Sequence, residues 1–330
     1  MHLKNLFLLL VFLVVYSSCK NSFSVQAPYK DETIVYGLLD QSDSVHYIRI
    51  NKAFEGNGNA YVMAKQYDSL YYPVNEIKAV LKDSNPSTNT IVKIDALDTT
   101  TSVPLGPGVF SYPKQLLYYT RTKFNPNDYY SLVIVNTKTG KTVTGSTALI
   151  PDIGISISEY GKTLPMSFNK EYPSVIGWQT VPNVRIYQLT IRFYYDEFMN
   201  NTRNAKSLDW VFAPLTSSNL GGQEGLEYEY NAQGFCTLIL NSIPYEAGAT
   251  RYADSVGVIF SSGTDDLNTY VQLSEPSGSL TENIPFYSDL KNGVGLFTAR
   301  HIQTLYKQVD GTVIDTLVYG PEFSKLNFQL

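Results

Sequence analysis

The side chains that ordinarily carry catalysis are sparse in this chain. Of three histidines, only His46 and His301 lie beyond the N-terminal apolar stretch, far apart and both in strand-like segments. That is too little for a Ser-His-Asp centre or a histidine-rich metal site, and a structural role is expected for each. No H-E-x-x-H, C-x-x-C or G-x-S-x-G occurs. Ser167-x-x-Lys170 and Lys138-Thr139-Gly140 look like two penicillin-recognising elements, but they stand in reversed order and no Ser-Asp-Asn accompanies them. Carboxylates are the remaining candidates. Asp196-Glu197, the set Glu224, Glu227 and Glu229, and Asp265-Asp266 would serve a glycosidase or a Ca²⁺ site only if folding brought two or more together. None has the spacing of an EF-hand loop, and Gly293-x-Gly295 is too short for a phosphate cradle. The expectation is no catalytic residue, no metal and no cofactor, with solvated loop charges in place of a hydrolase built on carboxylates. Large rings offer the alternative chemistry, which is binding. Phe198, Trp210 and Phe212 fall in a stretch without strand alternation, where apolar rings either pin a loop down or meet a partner.

Chemistry of another kind is written at the N-terminus. Lys4, the apolar run Leu6 to Val15, and Tyr16-Ser17-Ser18 leading into Cys19 have the order of a secretory signal. The apolar core is about half the ~20 residues that span a bilayer. A cysteine at the cut resembles the lipobox of bacterial lipoproteins, although Tyr16 stands where a lipobox usually carries Leu. The resemblance implies lipid on Cys19, and several acyl chains at ~0.8 kcal/mol per buried CH₂ make such an anchor nearly permanent. Residues 20–31 are polar and patternless and read as a tether, about 40 Å long if extended. Cys236 is then a lone cysteine, expected as a buried small hydrophobe on a strand Phe235 to Leu240.

The elements that must position these groups read as β. The chain of 330 residues holds 26 tyrosines against two tryptophans, and tyrosine suits strands whose rings pack while the hydroxyl stays wet. Net charge is −5, with no basic run, so nothing draws the protein to nucleic acid. Short strands recur from Thr33-Ile34-Val35-Tyr36-Gly37-Leu38-Leu39 to Thr142 to Leu149, with turns every 8 to 12 residues, as in an antiparallel sandwich. Along Val45 to Asn51, Val45 and Tyr47 compete with Ile48 or Ile50 for the core. Glu55 to Asn59 reads as a turn, and Tyr61 to Tyr72 as a short helix ended by Pro73. After Ile150-Pro151-Asp152 a second series begins. The Trp178 strand followed by Asn183-x-x-x-Tyr187-x-Leu189-x-Ile191 looks like strands B and C of a fibronectin type III or immunoglobulin-like module. Leu267 to Ser274 reads as strand or short helix, and Thr312 to Val318 as strand. The expected organisation is all-β: a signal and lipobox at 1–19, a tether at 20–31, one β-sandwich domain at 32–151 and a second at 152–330. The second carries a loop or short-helix insertion at 196–225, the candidate partner surface.

Three segments together resemble a family of Bacteroidota outer-membrane lipoproteins. They are Ile34 to Leu39 soon after the lipobox, the strand ending Ile150-Pro151, and Lys291-Asn292-Gly293-Val294-Gly295-Leu296-Phe297, which matches an "NIxGGxGxF"-like segment in part. Such proteins are commonly encoded beside TonB-dependent receptors. The resemblance implies an outer-membrane, lipid-anchored accessory subunit with a TonB-dependent receptor as partner, on the periplasmic or the surface face, and it carries over no catalytic residue. A glycan- or peptide-binding lipoprotein using exposed tyrosines is the first alternative, and a hydrolase built on clustered carboxylates is the second. Asp43-Ser44-Val45, Asp68-Ser69-Leu70, Asp98-Thr99-Thr100, Asp254-Ser255-Val256 and Asp315-Thr316-Leu317 also resemble a Bacteroidota O-glycosylation pattern.

Overall fold

Strict alternation of apolar and polar residues builds most of this molecule. The computed structural model describes residues 32–53, 59–111, 113–157, 161–200, 202–274 and 287–330. Cys19, the tether and most of the expected Glu55 to Asn59 turn lie outside them. In chain order the first half holds β1 (Thr33–Leu39), β2 (His46–Lys52), α1 (Ala60–Ala64), α2 (Tyr67–Leu70), β3 (Ile77–Asn85), β4 (Thr90–Ala96), β5 (Asp98–Thr100), β6 (Leu117–Thr120), β7 (Tyr129–Asn136) and β8 (Thr142–Ala148). The second half holds β9 (Ile155–Ile157), β10 (Ser174–Gln179), β11 (Val184–Met199), β12 (Thr202–Val211), β13 (Leu215–Thr216), β14 (Gly225–Tyr230), α3 (Ala232–Ser242), β15 (Thr250–Thr264), α4 (Asp265–Ser274), β16 (Val294–Gln308), α5 (Gly311–Tyr319) and β17 (Phe328–Gln329). The described chain is mostly β, as expected.

The strands form three sheets. The largest runs β12-β11-β15-β16-β1-β2-β6-β5, with β13 on β11 and β17 on β15; the others are β14-β10-β9 and β4-β3-β7-β8. The junction at 151/152 separates the two small sheets, but the large sheet draws strands from both sides of it, and residues 32–330 form one unit. Each small sheet covers part of the same inner face. On one side Phe297 of β16 lies so close to Gly145 of β8 that a Cβ there would meet it at 3.0 Å. On the other, Trp178 of β10 packs edge-on against Phe260 of β15, with ring centres 4.7 Å apart. Two sandwich-like halves thus share one sheet, which gives a single buried core.

The seam between the halves is β1 alongside β16, parallel, with Val35 opposite Gly295 and Tyr36 opposite Leu296. Gly295 takes φ +119°, and a Cβ there would run into the Val35 carbonyl. Only glycine serves at that position. The Gly293-x-Gly295 motif is therefore a strand-entry device.

Three expectations for secondary structure are corrected. Phe235 to Leu240 lies on helix α3, not a strand: Asn231 caps it by accepting from the Gly234 amide at 2.8 Å, and Phe235, Cys236 and Ile239 share its buried face. Cys236 is buried, as expected. Thr312 to Val318 is helix α5, capped by Asp310 through the Thr312 amide at 2.9 Å, with Val313 and Leu317 buried. In both cases a short apolar run suited either element and the cap decides. Residues 196–211 are not an irregular insertion. Asp196 to Met199 continue β11, and Thr202 to Val211 return as β12 with Arg192 opposite Asp209. The alternation vanishes there because β12 is an edge strand whose first six residues, Thr202 to Ser207, are exposed, so none of these had to be apolar; only Leu208 and Trp210 pack onto the core.

This long hairpin is tied down by one buried cation. Arg251 is 0% exposed and Glu197 3%. The guanidinium donates to Glu197 at 2.7 and 2.9 Å and to the carbonyls of Leu326 at 2.7 Å and Pro244 at 3.0 Å. Lys206 reaches the other carboxylate oxygen at 2.5 Å. Its hydrogen bond, opposed by burial and joined by Arg251, holds the Glu197 carboxyl below the usual range. Glu197→Gln removes the countercharge and leaves Arg251 buried, so chemical denaturation should show a loss of about 3–5 kcal/mol; a loss under about 1 kcal/mol would show the pair to be dispensable.

Candidate functional site

Because the small sheets cover one face of the large sheet, the other face carries what the strands present outward. Along β1 that is Ile34, Tyr36 and Leu38; along β2 it is Tyr47, Arg49 and Asn51, with His46, Ile48 and Ile50 in the core. The competition along Val45 to Asn51 is thus settled for the isoleucines. Tyr47 faces Tyr119 across the strands and Tyr36 faces Arg49. Farther along the same face stand Tyr194 and Tyr306, with ring centres 6.2 Å apart, and Phe198 edge-on to Tyr252 at 5.6 Å. Part of the tyrosine excess lies here, and a comparable part, including Tyr71, Tyr118, Tyr130, Tyr187, Tyr195 and Tyr228, is buried in the core.

Helix α4 lies on this face and turns part of it into a groove. Its Leu267, Tyr270 and Val271 form one wall, β16 gives Leu296 and Arg300, β1 gives Tyr36 and Leu38, and Asp43, Tyr47 and Arg49 close the far side around a cavity of about 480 Å³. That lies within the ~300–1,000 Å³ of ligand sites, with the usual mix of apolar walls and few polar groups. Tyr36 is 38% exposed and Tyr47 41%, so both rings are offered to solvent. Tyr36 sits edge-on to Tyr270 at 6.1 Å. Burial, then the hydrogen bond and charge of Tyr270, push its hydroxyl up to about 12 against the pull of Arg49, so it stays neutral. A second cavity of about 520 Å³ lies beside β10 and β14, but its one aromatic, Trp178, is buried in the core, and glycines form much of its wall.

Next to the groove, a buried histidine locks the segment after β1. His301 Nδ1 lies 2.9 Å from Asp40 and its Nε2 2.9 Å from Asp152. Asp40 also accepts from the Ser42 amide and hydroxyl and from the Ile302 amide, while the Asp152 side chain is 87% exposed. Burial disfavours the imidazolium, but the bonds and charges of Asp40 and then Asp152 outweigh it and raise the pKa. Burial opposes the Asp40 carboxylate too, but the bonds from His301 and Ser42 hold it below its ordinary value. His46 is the opposite case. Stacked on Phe124 at 3.7 Å, it is held below the ordinary value by burial, against the raising pull of Asp43.

The expected site residues separate onto different faces. Ile191 stands opposite Trp210, so Trp210 shares the inward face, where Phe212 lies 4.7 Å from it and Phe235 of α3 6.1 Å. Phe198 points the other way. The three rings form no single patch. The acidic clusters are mostly engaged within the fold. Asp196 pairs with Arg203 at 2.8 Å, Asp265 with Arg185 at 2.7 Å, and Asp266 accepts from Tyr287. Glu224 gathers Ser217 Oγ and the Ser218 amide at 2.7 Å. Among the described residues no three acidic, histidine or cysteine side chains group as metal ligands, and no helix is long and apolar enough to cross a membrane. Lys138 to Gly140 form the β7–β8 turn. Sequence reasoning missed Tyr36, Tyr47, Arg49, Tyr270 and Arg300; the tyrosine excess was the signal that led toward them.

No family model and no curated protein matches the chain. Among solved structures it is similar to the C-terminal globular domain of an oligosaccharyltransferase from Pyrococcus abyssi, at 8% identity and a TM-score of 0.24, over 70% of this chain and 48% of that one. The match thus spans about half of that structure's length and carries no functional argument.

His301 gives a pH test. A pKa raised on folding contributes stability below the unfolded value near 6.5 and loses it as pH rises through the folded value. The melting-temperature gap between wild type and His301→Asn should be widest near pH 5–6 and narrow above neutrality; a gap independent of pH would refute the charged bridge.

Proposed function

We propose that this protein is a non-enzymatic binding protein that holds sugar rings of a glycan in the groove beneath α4. One observation carries the reading: Tyr36 and Tyr47 offer their rings to solvent on a rigid sheet face, beside a third ring, Tyr270, on the covering helix. Rings fixed in this way present a flat apolar face to the C–H face of a pyranose, while the hydroxyls supply hydrogen bonds. Strands hold such a platform more firmly than loops do, which limits the entropy lost on binding. In this reading the signal-like N-terminus and Cys19 anchor the protein by lipid to the outer membrane, and a TonB-dependent receptor takes the ligand onward.

A receptor partner without a glycan is the second reading. The exposed ring of Tyr306, at 69%, favours the open face over the Trp210 region for that contact.

Glycan-array binding followed by titration tests the first reading. Tyr36→Ala and Tyr47→Ala should each weaken binding about tenfold or more at unchanged stability, whereas Trp210→Ala should act on stability. Retained affinity in both tyrosine variants would end the groove reading. For the anchor, Cys19→Ala should move the protein from the membrane fraction to the soluble one; unchanged fractionation would rule out lipid at that position.

A further inference from the structure

The arginines of this chain divide sharply by location. Arg185, Arg192, Arg203 and Arg251 each contact a carboxylate, at 2.7, 2.6, 2.8 and 2.7 Å. Arg49, Arg121 and Arg300 pair with none among the described residues, and all three stand around the outward tyrosines. Arg121 lies over the Tyr119 ring at 5.7 Å, beside Tyr47. Arg49 and Arg300 line the groove itself. Arg49 is steadied by a neutral amide, donating to Gln115 Oε1 at 2.9 Å, and Gln115 in turn donates to the Val103 carbonyl at 3.2 Å. The Nε of Arg300 is buried with no hydrogen-bond partner among the described residues. A buried donor left unpaired is costly. Asp43 shares the lining and pairs with neither.

We infer that the groove recognises an acidic glycan, with the carboxylate of a uronic acid gripped by Arg49 and Arg300 while the tyrosines take the ring. This rests on the groove reading and adds the ligand's charge. Guanidinium forks suit planar carboxylates, which accept two parallel N–H bonds. Arg49 stands opposite Tyr36 on β2, while Arg300 lies four residues beyond Leu296, the β16 partner of Tyr36. Both cations therefore line the groove on the face that carries Tyr36. Sulfate shares the chemistry, so sulfated sugars form a separate arm of the test.

The test uses the full chain in detergent and isothermal titration with short oligouronates of differing ring stereochemistry, each paired with its methyl ester. Sulfated oligosaccharides of neutral backbone and acidic peptides complete the panel. At least one oligouronate should bind about tenfold or more tighter than its ester, with the margin shrinking as salt rises. Arg49→Gln and Arg300→Gln should each remove most of that margin by weakening the acid far more than the ester, and Arg→Lys at either position should restore it only in part. Equal binding of acid and ester would overturn the inference and leave the groove reading intact, provided Tyr36→Ala weakened both. Binding confined to the sulfated or the peptide arm would overturn it for that ligand, and binding to no probe would overturn it outright. Altered affinities in an arginine variant count only where its melting temperature matches wild type.

Discussion

One parallel contact, β1 against β16, sets the geometry on which the groove depends. It brings Tyr36 and Arg300 onto one face although about 260 residues separate the strands. The contact is close enough that two positions along it exclude any side chain. Gly295 would strike the Val35 carbonyl, and Gly37 would meet the Phe297 ring at 2.9 Å. A parallel pair buried between two halves has no slack for a shift of register, because a slip by one residue would turn Tyr36 inward and Val35 out. The small sheets, the helix above and the ring platform all take their positions from this seam.

The two faces of the large sheet follow different chemistries. Inside, the buried ionisable groups are held in different ways. His301 bridges two carboxylates, Arg251 is held by an acid and two carbonyls, and His46 stacks on Phe124. Outside, tyrosines replace the aliphatic residues that would make an open sheet face sticky, because their hydroxyls satisfy water while their rings still cover backbone. That exchange accounts for the outward tyrosines without reference to any ligand. The unpaired guanidinium groups at one end of the face are what it leaves over.

Much of this was legible in the sequence, and the rest failed for identifiable reasons. Thr33 to Leu39 and Tyr129 to Val135 declared themselves as strands because one face of each had to be apolar. The hairpin after Tyr195 did not, since Thr202 to Ser207 lie at an edge with solvent on both sides and the core places no demand on them. Helices α3 and α5 carried their signal in Asn231 and Asp310, single capping residues easily outweighed by the apolar run that follows. Both histidines are buried, but nothing local linked His301 to Asp40 and Asp152, which come from two distant turns. The groove was hidden for the same reason. Its tyrosines and arginines alternate with core residues in ordinary strands, and only the order of strands in the sheet collects them. The rings that looked most exposed, Trp210 and Phe212, were those the fold had a use for.

Arg251 has a consequence for the far end of the chain. One of its five N–H groups is satisfied by the Leu326 carbonyl, its own amide donates to the Asn327 carbonyl at 3.0 Å, and Phe328 lies in register opposite it as β17. The final residues are therefore a plug and not a trailing tail. Trimming the chain back past Leu326 would uncover the inner end of β11, where Phe193 and Tyr195 pack on Phe328, and would admit water to a cation otherwise sealed from it. A protease that clips there, or a fusion that pulls this segment out of the sheet, would act on the hydrophobic core as directly as a substitution within it.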